Sequence, residues 1–178
     1  MRYFIISQED SYVDAPQIKG LEQEADLHKF YEDIDFFKKD RLILDVGKRK
    51  HFSCPDVLTK PCFMVSAAAW NVMLMFEPNL HSVEVLLNPC GEMLEIHQYK
   101  IPWLHKVNCL TEDSRFNLDR SEVLEPVIDE ELIGDKAIFR LGGVGKCYIV
   151  MRMDLVEALL RRDIYGIQLQ ELKNIREV

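Results

Sequence analysis

The sequence predicts an α+β fold, a mostly antiparallel sheet with two or three helices, and three observations carry that expectation. Short runs such as Arg41–Val46, Ser82–Leu87 and Ala137–Leu141 have strand length and strand-type alternation or β-branched enrichment. Ser66 stands before an apolar stretch that Pro78 closes, the pattern of a capped helix over 67–76. A strand–helix–strand pattern also recurs at an offset of 85 residues, which predicts two similar halves.

Taken in order, Tyr3–Ile6 reads as a first strand and Gln8–Gly20 as loop. Leu27, Phe30, Tyr31 and Ile34 fall at helical spacing within a charge-rich stretch, 21–37. Arg41–Val46 is a strand ending at Gly47, and the basic run Lys48-Arg49-Lys50 turns the chain. The helix over 67–76 has Asn71 as its only interior polar residue, so burial on most sides is expected. Val83, Val85 and Leu87 alternate in a strand, Asn88-Pro89-Cys90-Gly91 is a turn, and Met93–Ile101 returns. The stretch 103–110 alternates again, which would put Trp103, His105, Val107 and Cys109 on one face. A strand is expected near Val127-Ile128, then strands at 137–141 and 147–151 around the turn Gly142-Gly143-Val144-Gly145. A last helix, about Arg152–Arg162, lines up Leu155, Ala158 and Leu159; Gly166 ends it, and Ile167 and Leu169 begin a closing strand. In the echo, Phe63-Met64-Val65 matches Tyr148-Ile149-Val150, Trp70 falls on Leu155 and Leu74 on Leu159. The 178 residues suit one fused domain, with 1–36 as an N-terminal extension and 40–175 as the core.

Composition narrows the class. At 48% hydrophobic and 29% charged residues the chain has enough apolar content to fold and is not a disordered type. The longest nearly apolar run, 62–76, is shorter than the roughly 20 residues of a membrane span, and the N-terminus turns acidic before a signal core can form. A cytoplasmic protein with no membrane partner is therefore expected. Five cysteines without a CxxC pair suit reduced, partly buried thiols better than disulfides or a zinc site.

The net charge of −8 is unevenly spread. Residues 37–62 carry seven bases against three acids, whereas 111–135 carry nine acids against two bases, a net of −7. That balance disfavours nucleic acid, whose phosphates require Lys and Arg, and favours a basic protein partner. Glu122, Glu125, Asp129, Glu130, Glu131 and Asp135 are the candidate contact residues, because they cluster.

No catalytic or cofactor motif emerges. Gly142–Lys146 lacks the first glycine and the closing Ser or Thr of a phosphate loop, and a hairpin turn explains the run. An enzyme of another type would draw first on His97, His105 and Cys109, gathered in a pocket. A regulatory or scaffold module holding a peptide at a sheet edge or in an apolar groove stays open beside it. No metal or cofactor is expected, and pairing of two copies at the first or last strand is left open.

The segment Lys136–Leu141, then Tyr148-Ile149-Val150, Leu155–Leu160, Tyr165-Gly166-Ile167 and Glu171-Leu172 resemble the closing signature of the myxobacterial-type immunity proteins of bacterial polymorphic toxin systems. Val65-Ser66 at a helix start and Asp113-Ser114 after paired strands resemble that family too. The likeness covers roughly 40–175; Met151 stands where a serine helix opener would be expected, and 1–36 matches nothing in the family pattern. The resemblance implies a cytosolic antitoxin that binds and neutralises a cognate protein toxin, in many such systems a nuclease. It supplies no catalytic residues.

Overall fold

A computed structural model of the chain describes residues 1–12, 15–19, 41–47, 53–89 and 96–175. The helical stretch expected over 21–37, the basic turn at 48–50, Cys90-Gly91, and His28 and His51 lie outside the described residues. Along the chain run β1 (Tyr3–Gln8), β2 (Ile18–Lys19), β3 (Arg41–Val46), β4 (Val57–Leu58) and β5 (Met64–Ser66). Helix α1 (Ala67–Phe76) precedes β6 (Ser82–Pro89), β7 (His97–Pro102), β8 (Lys106–Val107), β9 (Arg115–Phe116), β10 (Val123–Glu125) and β11 (Val127–Ile128). After a 3-10 turn (Glu130–Leu132) come β12 (Ile138–Leu141), β13 (Ile149–Arg152), α2 (Met153–Leu160), β14 (Ile167–Glu171) and β15 (Lys173–Asn174). The fold is α+β, with antiparallel pairings in the majority. The chain forms two compact units. The first comprises Met1–Ile6, Leu104–Arg161 and Leu169–Val178, and the second Ser7–Trp103 and Arg162–Gln168.

The second unit is built on a six-stranded sheet in the order β2-β3-β6-β7-β5-β4. Alternation in Arg41–Val46 is strict: Leu42, Leu44 and Val46 are buried while Arg41, Ile43 and Asp45 face outward. β3 lies parallel to β6, Leu42 opposite Val85 and Leu44 opposite Leu87, and β6 pairs antiparallel with β7. The inward residues of these strands join Met64, Tyr99 and Ile101 in one apolar core. Ser66 caps α1, its Oγ accepting from the Ala69 amide at 3.2 Å. α1 is less enclosed than the sequence implies. Ala69, Trp70, Val72 and Met73 are buried, but Ala68, Asn71 and Met75 form an exposed stripe. Three of its ten residues are alanines, which leave little apolar surface to cover on the outer face.

In the first unit a five-stranded sheet has the order β14-β1-β13-β12-β8. β1 and β13 are antiparallel, as are β12 and β13, with Phe139 opposite Val150. Tyr3, Phe139, Leu141, Val150, Ile128 and Cys109 share the core, and the Tyr3 and Phe139 rings meet edge-on at 6.1 Å. The glycine run is the β12–β13 hairpin turn. Gly143 sits at φ +81, and a Cβ on Gly142 would come within 1.9 Å of Asn108 Oδ1 and 3.0 Å of the Val107 carbonyl oxygen. The expected long strand over 103–110 is reduced to β8. Val107 and Cys109 are both buried, as the alternation predicts, but His105 points out and Leu104 is buried, so His105 leaves the predicted common face. Arg140 is the reason: its amide bonds the His105 carbonyl at 2.8 Å and its Nε the Leu104 carbonyl at 2.9 Å. Two consecutive carbonyls held by one residue break the alternation.

The internal echo is present in three dimensions. β5 begins at Met64 and β13 at Ile149; β6 begins at Ser82 and β14 at Ile167, both at the offset read from sequence. In each copy one strand lies between the pair joined by the helix: β7 between β5 and β6, and β1 between β13 and β14. The arrangement is a split β–α–β unit, used twice.

Candidate functional site

The acidic segment folds as a hairpin, a short strand and a 3-10 turn on the first unit. β9 and β10 pair antiparallel, Phe116 opposite Val123 and Arg115 opposite Glu125, with a bulge before Glu125. The hairpin tip is tightly bonded. Asn117 donates through Nδ2 to Ser121 Oγ at 2.8 Å and accepts at Oδ1 from the Glu122 amide at 2.9 Å. Asp119 Oδ1 accepts from the Ser121 amide and hydroxyl, which holds its carboxyl below the usual carboxylate range. Arg120, at φ 56, lays its guanidinium 4.3 Å over the Phe116 ring. The tip is also tied to the β12–β13 turn: the Gly145 and Lys146 amides donate to the Arg120 and Ser121 carbonyls at 3.3 and 2.7 Å.

The six predicted acids are not equivalent on this scaffold. Glu122 is half-buried and pairs with Lys146 at 2.9 Å, a bond that raises the lysine's pKa. Glu125 pairs with Arg115 across the hairpin at 3.3 Å, and Glu130 pairs with the N-terminal amine of Met1. Asp129 serves as an N-cap, accepting from the Glu131 amide at 3.0 Å. Glu131 and Asp135 are exposed, and the backbone carbonyl of Asp135 accepts from Arg152 Nη1 at 2.9 Å. Such surface pairs are each worth about 0–1 kcal/mol, but they neutralise charge that would otherwise act at a distance. Among the described residues, the carboxylates of Glu112, Asp113 and Asp135 meet no cation.

Three residues that sequence reasoning missed stand among these acids. Leu118 at the hairpin tip, Leu124 in β10 and Leu132 in the 3-10 turn are all large exposed hydrophobics, Leu118 fully so at 108%. The only signal in the sequence is that each leucine lies in a charge-dense stretch.

The residues weighed for chemistry lie apart in the two units. Cys109 is fully buried in the core, and burial pushes its thiol up to about 11, so the protonated form prevails at neutral pH. His105 is exposed in the same unit and His97 is a half-buried residue of β7 in the second unit. Cys54 is likewise raised to about 11 by burial. The amides of Gly142, Gly145 and Lys146 already donate to protein carbonyls, so three of the donors a phosphate loop would offer are engaged. Among the described residues no group of three or more His, Cys, Asp or Glu could hold a metal ion, and no helix is long and apolar enough to cross a membrane.

Several positions in the family-like motifs have a structural explanation. Ser114 is buried; its Oγ donates to the Val127 carbonyl at 2.9 Å and accepts from the Val127 amide at 3.0 Å, fastening the 111–114 turn to β11. Gly166 sits at φ +80 with Pro55 so close that a Cβ would lie 2.3 Å from the proline Cβ. Beside it, Asp56 accepts from the Tyr165 amide at 3.1 Å and from the Ser66 hydroxyl. No protein-family model matches the chain, and no curated protein matches it.

Proposed function

We propose that the chain is an immunity protein, a cytoplasmic antitoxin that binds the toxic domain of a cognate bacterial toxin and neutralises it by protein–protein contact. The carrying observation is the 111–135 segment, which carries nine acids and three exposed leucines on a hydrogen-bonded scaffold. Acidic surfaces speed encounter with basic partners and select them, which suits a nuclease toxin whose cleft is built for phosphate. Exposed apolar side chains on a pre-ordered tip supply anchors whose ordering cost is already met. The likeness of 136–141, 148–150 and 165–167 to myxobacterial-type immunity proteins points the same way.

Within this reading the acids of the segment divide. Glu112, Asp113 and Asp135 steer the partner, while Glu122, Glu125, Asp129 and Glu130 chiefly hold the scaffold. The test is co-expression with the product of the adjacent gene. A stoichiometric complex, together with relief of that product's toxicity, is the expected result. Absence of both a complex and any toxicity would remove the reading.

A further inference from the structure

We propose that the outer edge of β14 pairs with β14 of a second copy, giving a two-fold dimer through continuous antiparallel strands. The inference does not depend on the immunity reading. Among the described residues the two larger sheets end in four edge strands, of which β2, β4 and β8 are two residues long, and the strands of the two-stranded sheets have two or three residues. Short edges are a common protection against strand addition, and β8 carries Lys106 as well. β14 is the exception: five residues, Ile167-Gln168-Leu169-Gln170-Glu171, with no proline, no lysine and the last four exposed.

The backbone phase of this edge is fixed by its neighbour. The Leu172 amide donates to the Tyr3 carbonyl at 2.9 Å and the Glu9 amide to the Gly166 carbonyl at 3.1 Å, so β14 runs antiparallel to β1 with even-numbered groups turned inward. The N–H and C=O groups of Ile167, Leu169 and Glu171 therefore point outward, and among the described residues they have no backbone partner.

The sequence of the edge is complementary to itself. A two-fold axis at Leu169 puts Leu169 opposite Leu169 of the second copy, in the register where facing residues exchange both backbone bonds. Ile167 then faces Glu171, whose carboxylate is held by Arg2 on its own copy and so brings no uncompensated charge. Gln168 faces Gln170 on the other side of the strand, where each amide can donate and accept. A strand from an unrelated chain would have no reason to match this symmetry.

The experiment is light scattering of the purified chain over a concentration series, with hydrogen exchange on the same samples. A dimer is expected, with the Ile167, Leu169 and Glu171 amides exchanging at least about tenfold more slowly than in a monomeric variant. Leu169→Lys, which sets two lysines against each other at the axis, should give a monomer with an unchanged circular dichroism spectrum. Leu118→Lys, away from the edge, should leave the dimer intact. A wild-type monomer at every concentration, or a Leu169→Lys dimer, would overturn the proposal. Protection of these amides only after addition of the co-expressed toxin would also overturn it, by giving the edge to that partner.

Discussion

The two split β–α–β copies space their strand starts alike and differ in where their middle strand comes from. In β5–α1–β6 the inserted strand is β7, which follows directly in sequence. In β13–α2–β14 it is β1, from the opposite end of the chain. Each middle strand buries one tyrosine, Tyr99 or Tyr3, to 2% exposure. Tyr99 donates its hydroxyl to the Pro55 carbonyl at 2.8 Å, whereas no hydrogen bond engages the Tyr3 hydroxyl among the described residues. The lesson is that local pattern specifies the strand–helix–strand piece, while long-range burial selects the strand that completes it.

The largest effect should come from Tyr3→Ala, which removes a buried ring packed on Phe139 and should cost about 3–5 kcal/mol in denaturant unfolding. The phenylalanine substitutions separate the two tyrosines. Tyr99→Phe leaves the Pro55 carbonyl unpaired and should cost about 1–3 kcal/mol, whereas Tyr3→Phe should stay within about 0.5 kcal/mol. Equal losses from both would break the comparison.

Glycines sharpen it next. Gly166→Ala meets both a left-handed backbone and the Pro55 ring, while Gly143→Ala meets the left-handed backbone with only Leu110 Cδ1 at 4.0 Å. Gly143→Ala should therefore cost about 1–2 kcal/mol and Gly166→Ala clearly more, read from thermal midpoints.

Much of this was legible in the residues, and the failures have physical causes. Ser66, Pro78 and the alternation of Arg41–Val46 gave α1 and β3 to the residue, because capping and side-chain alternation are local effects. The parallel pairing of β3 with β6 was not visible, since no local signal distinguishes a strand's partner. His105 was misplaced because Arg140, 35 residues later, takes two neighbouring carbonyls. At the candidate site, clustering of the acids could be read directly. Their division could not, because Lys146, Arg115 and the N-terminal amine meet them only after folding.

The smallest effects concern the helix starts. Ser66→Ala should cost about 1 kcal/mol through loss of the cap. α2 has no side-chain cap from Arg152; instead Arg152 bonds both oxygens of Asp154, at 2.8 and 2.9 Å, and holds that carboxyl below its ordinary 3.8. A lowered carboxyl pKa stabilises the fold above the unfolded value and loses that contribution as pH falls through the folded one. Asp154→Asn should thus cost about 0.5–1 kcal/mol at pH 7, shrinking toward zero as the pH drops below 3.8.

The central claim is that 111–135 is the surface through which this protein binds a toxin. It is tested most directly by hydrogen exchange of the chain alone and in complex with the co-expressed toxin. The account predicts new protection concentrated at 111–135, strongest around Leu118, Leu124 and Leu132. A tight complex that leaves those amides unchanged would contradict it.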